Sequence, residues 1–123
     1  MHEYGLANDI ARHVRAEAER ASGRRVTKLL VEVGGMERLS TEILNEWLQD
    51  ALADLVRAER IQVSRAPLIA ACGQCGSRRR MRVNEDDLPA LNPECRRCPK
   101  CGADSVRLSG GTGCRIRALT FSA

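Results

Sequence analysis

The apolar residues Leu6, Ile10, Val14, Ala18 and Ala21 recur every three or four positions. That period predicts a half-buried helix. Ser22-Gly23 follows, and a glycine just past the last apolar position suits the left-handed conformation that ends helices. The next segment changes period. In VTKLLVEV, from Val26 to Val33, the residues Thr27, Leu29, Val31 and Val33 share one face, and Lys28 and Glu32 share the other. This predicts a strand buried mainly on one side. Gly34-Gly35 breaks it. Ser40 or Thr41 can cap a second helix, with Glu42 in its first turn where a negative charge suits the dipole. Leu44, Trp47, Leu48, Ala51, Leu52 and Leu55 then form an apolar stripe, which makes Trp47 a core residue and not a ligand contact. Ile61 to Arg65 alternates as a short strand, and the closing CRIRALTF alternates again.

The element order is helix, strand, helix, strand, a cysteine-bearing insert, strand. We expect an α+β fold: a small mixed sheet of about three strands with two helices on one face, which buries both stripes. The last strand is expected to return to that sheet, so the cysteine-bearing segment is an insertion and not a tail.

A length of 123 residues allows one ordinary domain or two very small ones. The 43% hydrophobic and 29% charged content is that of a globular chain. No apolar run is long enough to span a membrane. The first residues, MHEYGLANDIARHV, lack a basic region followed by an apolar one, so no secretory signal is read there and a cytoplasmic location is expected. Charge divides unevenly. Residues 1–66 carry 10 basic and 11 acidic side chains, and residues 67–123 carry 10 basic and 5 acidic. All six cysteines lie in the second part.

In a reducing compartment those cysteines read as metal ligands before disulfides. Cys72-Gly-Gln-Cys75-Gly76 and Cys98-Pro-Lys-Cys101-Gly102 are matching knuckles. Two intervening residues let one tight turn aim both thiolates at a single ion, and the glycine after each pair permits positive φ where the turn closes. Four thiolates around zinc leave no open position, so such a zinc is structural. Between Cys75 and Cys98 lie 22 residues, slightly more than the usual ~15–20. Cys95 offers a second register, Cys95-Arg-Arg-Cys98, with 19 residues after Cys75. Cys98 and Cys101 are preferred because only that pair carries the proline inside and the glycine after. Cys114, opening a strand, reads as a small buried side chain.

Arg78, Arg79, Arg80, Arg82, Arg96, Arg97 and Lys100 surround the knuckles. Their plain meaning is a solvated basic face, and their sharper one is contact with an acidic partner. An alternative function is therefore a zinc-ribbon module that binds nucleic acid or protein. With no aromatic residue between Pro67 and Thr120, base stacking is unavailable, so no nucleic-acid partner is expected. No Ser/His/Asp set and no phosphate-cradling Gly-Lys-Ser loop is present, so no enzymatic activity is expected.

His2 sits beside the chain's own amine. An amino-terminal nitrogen, the intervening amide and an imidazole can form fused chelate rings, and such nitrogen donors suit Ni(II) or Cu(II). A histidine near a terminus is more often only a solvated side chain. His13 lies between Asp9 and Glu17 at helical spacing and reads as solvated and weakly paired.

Taken together, Met1-His2-Glu3, Leu6, Ile10, Arg25-Val26-Thr27, Val31, Val33-Gly34, the two knuckles and the closing Ile116-Arg117 strand resemble the HypA/HybF family of hydrogenase nickel-incorporation proteins. The likeness covers essentially the whole chain. It implies a nickel metallochaperone delivering Ni(II) during maturation of [NiFe] hydrogenase. It further implies a nickel site at Met1, His2 and Glu3, and a structural zinc at Cys72, Cys75, Cys98 and Cys101. The implied partners are a nickel-handling GTPase and the hydrogenase large-subunit precursor. The expected organisation is a nickel-binding α/β domain over 1–69, completed by 113–122, with a zinc module over 70–108. A monomer or weak homodimer is expected, with no membrane contact.

Overall fold

A computed structural model describes residues 2–82 and 97–122, with side chains from residue 5 onward. Contacts divide the chain into two compact units. The first comprises Met1–Val33, Leu39–Ser64 and Gly113–Ala123, and the second Gly34–Arg38 and Arg65–Thr112.

The first unit is built from α1 (His2–Arg20), β1 (Val26–Val33), α2 (Thr41–Ala51), a 3-10 turn (Ala58–Arg60), β2 (Ile61–Arg65) and β6 (Cys114–Phe121). The helix α1 begins at His2, a full turn before the apolar period suggested. Its buried face is Ala7, Ile10, Ala11 and Val14, with Leu6 half-buried against it. Small alanines beside Ile10 and Val14 let this stretch lie closest to the core, so Ala18 and Ala21 are only half-buried. Ser22 and Gly23, at φ 56° and 84°, end the helix in the left-handed region. His13 is exposed. Its expected neighbours Asp9 and Glu17 pair instead with Arg12 and Arg20.

Ser40 caps α2, its hydroxyl accepting from the Ile43 N–H at 3.3 Å. Leu44, Leu48 and Leu52 are fully buried, and Trp47, Ala51 and Leu55 pack around them. The stripe outruns the helix, because the chain leaves α2 after Ala51 and turns through Leu55.

The three-stranded sheet has the order β2-β1-β6, and β1 and β6 run antiparallel. Two register shifts reset which residues face inward. At the start of β1, Val26 opposes Phe121 while Lys28 opposes Thr120. Thr27 is the extra residue, and its hydroxyl donates to the Thr120 carbonyl at 3.1 Å. Val26 is therefore buried and Thr27 only half-buried, which corrects the simple alternation. On β6, Leu30 opposes Ala118 while Val31 opposes Ile116, so Arg117 is extra. Cys114 and Ile116 face the core before this bulge, and Leu119 and Phe121 face it afterwards. On the other face, Arg115 and Arg117 both reach Glu32, at 3.0 and 3.4 Å, and hold the register.

The second unit carries its own three-stranded sheet, formed by β3 (Leu68–Cys72), β4 (Arg78–Met81) and β5 (Val106–Ser109) in the order β4-β3-β5. Both pairings are antiparallel. The loop Gly34–Arg38 belongs to this unit. It is held by the Met36 N–H donating to the Gly111 carbonyl at 2.9 Å. The Arg65 guanidinium also donates to the carbonyls of Gly34 and Glu37.

Candidate metal centre

The two knuckles occupy equivalent turns. The Cys72 N–H donates to the Ser77 carbonyl, and the Cys98 N–H to the Ala103 carbonyl, both at 2.9 Å. Gly76 N–H donates back to the Cys72 carbonyl at 3.0 Å, and Gly102 N–H to the Cys98 carbonyl at 2.8 Å. Gly76 and Gly102 sit at φ 75° and 78°, a region open to glycine and strained for other residues. The first knuckle is the turn of the β3–β4 hairpin. The second leads into β5, and the Gly73 N–H ties the two together by donating to the Ser105 carbonyl at 3.0 Å.

These turns bring the sulfurs of Cys72, Cys75, Cys98 and Cys101 within 4.8 Å of one another. Cys72 and Cys101 are 3.7 Å apart, as are Cys75 and Cys98. A tetrahedral zinc with bonds of about 2.3 Å has sulfur–sulfur edges of about 3.8 Å, so the donor set fits that ion in type and in spacing. The first cysteine of each knuckle, Cys72 and Cys98, is buried, while Cys75 and Cys101 face solvent. Ala70, Cys72, Cys98 and Val106 are the buried cluster of this unit, with Met81 and Leu108 packed on it. Two of the four residues of that cluster are thus ligand side chains.

Ser77 was not anticipated. Its hydroxyl lies 3.3 Å from the Cys75 sulfur and 3.6 Å from the Cys98 sulfur, so it bridges one ligand from each knuckle. The hydrogen bond from Ser77, helped by the N–H groups of Cys101 and Lys100 and opposed by burial, draws the Cys98 thiol down to about 6. Ser77 lowers Cys75 as well. At Cys101 the Ala103 N–H favours the thiolate, but burial and the thiols of Cys72, Cys98 and Cys75 outweigh it and push the group up to about 11. Hydrogen bonding and burial thus move Cys98 and Cys101 in opposite directions. A central dication lets all four ionise together. The sequence signal for Ser77 was its place directly after Cys75-Gly76, where the other knuckle has Ala103.

Of the remaining candidates, Cys95 and Met1 lie outside the described residues, and His2 and Glu3 lie in the first turn of α1. Cys114 lies at the start of β6 and packs on the core of the first unit. Arg78, Arg79 and Arg80 are exposed on β4, an edge strand. No described helix is long and apolar enough to cross a membrane.

Residues 1–121 match the family described as "Hydrogenase/urease nickel incorporation, metallochaperone, hypA". The chain is 28% identical over 122 residues to the hydrogenase maturation factor HypA of Azoarcus sp. strain BH72, with 98% of each chain covered. It is likewise 28% identical over 121 residues to the HypA of Methanothermobacter thermautotrophicus, covering 97% of this chain and 95% of the other. Its fold resembles the solution structure of the Ni metallochaperone HypA from Helicobacter pylori, with a TM-score of 0.54 at 13% identity and 98% of this chain covered.

Proposed function

We propose, because the chain belongs to the HypA family of nickel-incorporation metallochaperones, that it carries Ni(II) at its amino terminus and delivers it during hydrogenase maturation. Cys72, Cys75, Cys98 and Cys101 hold one structural zinc in the second unit, and nickel belongs to the first. The observation that carries this reading is a family match that starts at Met1-His2-Glu3 and runs to residue 121.

The donors at the nickel site are the Met1 amine, the His2 amide nitrogen and imidazole, and a further atom from Glu3. Because α1 starts at His2, the amide nitrogens here belong to a first helical turn. Those N–H groups have no acceptor within the helix, so a metal taking one breaks no helical hydrogen bond. Such an amide must lose its proton to bind, so nickel affinity falls as pH drops. A site at a chain end can release its cargo, whereas a closed thiolate cage exchanges slowly. The chain is a carrier in the cytoplasm and not an enzyme. It receives nickel from, or passes it with, a nickel-handling GTPase, and the acceptor is the hydrogenase large-subunit precursor.

Three proteins test this: the untagged chain, His2→Ala, and a version with residues added before Met1. Calorimetry with Ni(II) is expected to give one nickel per chain for the first and weak or no binding for the others, with equal zinc in all three. Equal nickel affinity in all three would place the site elsewhere.

A further inference from the structure

The first unit carries a groove that neither metal uses. Two adjoining hollows, of about 380 Å³ and 450 Å³, share Arg25, Asp54 and Leu55 in their walls. They lie where the C-terminal end of α1 meets the turns after α2. The smaller hollow adds Arg57 and Arg60, and the larger adds Arg24 and Glu19. Asp54 is committed to Arg15, at 2.8 Å. None of Arg24, Arg25, Arg57 and Arg60 forms an ion pair with a carboxylate among the described residues. Four guanidiniums therefore line a concave surface where a single uncommitted carboxylate, Glu19, accompanies them. Elsewhere in this unit the geometry does pair arginines: Arg12, Arg15, Arg20, Arg115 and Arg117 all have carboxylate partners.

We propose that this groove docks an extended acidic segment of a partner protein, one with carboxylates flanking an apolar side chain. Two features select that ligand. The guanidiniums are strung over two contiguous hollows and do not converge on one point, so the ligand is long and carries separate carboxylates, each met by a planar guanidinium. Half-buried Leu55 is common to both hollows, which gives the ligand an apolar contact between its charges.

The inference does not depend on the nickel reading, and its test uses no nickel. The probe is a fluorescein-labelled pentapeptide with four acidic side chains around a central leucine, set against its all-amide counterpart. Anisotropy is measured on the full-length, zinc-loaded protein at low salt. Saturable binding of the acidic peptide is expected, weakening as salt rises. The double variant Arg57→Gln, Arg60→Gln is expected to lose about tenfold in affinity, the sum of two exposed charge contacts. The double variant Arg78→Gln, Arg80→Gln, in the other unit, is expected to stay within about twofold. Circular dichroism establishes that each variant is folded. Amide chemical-shift changes on peptide addition are expected at residues 18–25 and 53–60. Equal weakening in both double variants, equal binding of the amide peptide, or displacement by inorganic phosphate at peptide concentration would each overturn the proposal.

Discussion

Arg15 on α1 grips Asp54, beyond the end of α2, through both carboxylate oxygens at 3.0 and 2.8 Å. The same guanidinium donates to the Ala51 carbonyl at 2.8 Å, one of the carbonyls that the end of α2 leaves without a helical partner. One side chain thus joins the two helices and caps the second.

The Arg15 hydrogen bond holds the Asp54 carboxyl below its ordinary range. A depressed folded-state value means that the contribution is complete above the unfolded pKa of about 3.9 and is lost as pH falls through the folded value. The stability gap between wild type and Asp54→Asn is therefore expected to be flat near neutrality and to close in acid. Thermal melts at pH 7 and pH 3 check this. Both groups face solvent, so added salt is expected to narrow the gap too.

Zinc content should follow the knuckles. Cys98→Ser is expected to lose zinc and Cys95→Ser to retain it, by elemental analysis of protein purified without chelator. Structural zinc in small modules contributes about 10–16 kcal/mol of apparent binding energy. Stripping it is accordingly expected to unfold the second unit, read as loss of dispersed amide signals from residues 65–82 and 97–112.

Ser77 bridges Cys75 and Cys98 without being a ligand itself. Outer-shell groups of this kind typically account for 10–100-fold in metal affinity. Ser77→Ala is expected to bind zinc about tenfold more weakly in a chelator competition, with one zinc per chain still bound when no chelator is present. Unchanged affinity would show that the hydroxyl serves only the turn.

Gly34 and Gly111 make a one-sided constraint. A Cβ on Gly34 would meet the Gly111 carbonyl oxygen at 2.2 Å, whereas a Cβ on Gly111 would find its nearest neighbour, Gly34 Cα, at 3.8 Å. Gly34→Ala is expected to destabilise by about 3 kcal/mol or more, since backbone must move. Gly111→Ala is expected to be neutral within about 0.5 kcal/mol. Paired denaturant titrations distinguish them.

Much of this architecture was legible because it is local. Both knuckles are set by four-residue spacing, and the helices and strands by period. Non-local detail was not legible. The alternation of CRIRALTF points Cys114, Ile116 and Ala118 to one side, yet the bulge at Arg117 turns Leu119 and Phe121 inward instead. Thr27 gave way to Val26 for the same reason. The place of Ser77 directly after Cys75-Gly76 hints at a contact within its own knuckle, but its reach to Cys98, 21 residues away, is set by the fold. Gly34-Gly35 marked the end of a strand, but not that the following loop would fold with the second unit, held by Arg65.

The pairing of β1 with β6 has a consequence for how the chain is made. Thr27 and Thr120 touch across 93 residues of sequence, and nearly all of the zinc-binding unit lies between them. On the ribosome, β1 emerges early and must wait for the third strand of its sheet until that whole unit has followed. The cysteines are exposed to cellular zinc during the wait. A unit already folded around metal brings the ends of the intervening segment together, and each halving of the effective loop saves about 0.6 kcal/mol of closure entropy. Zinc captured during synthesis therefore lowers the barrier to finishing the other unit, and a zinc-starved cell should release chains whose amino-terminal sheet closes late.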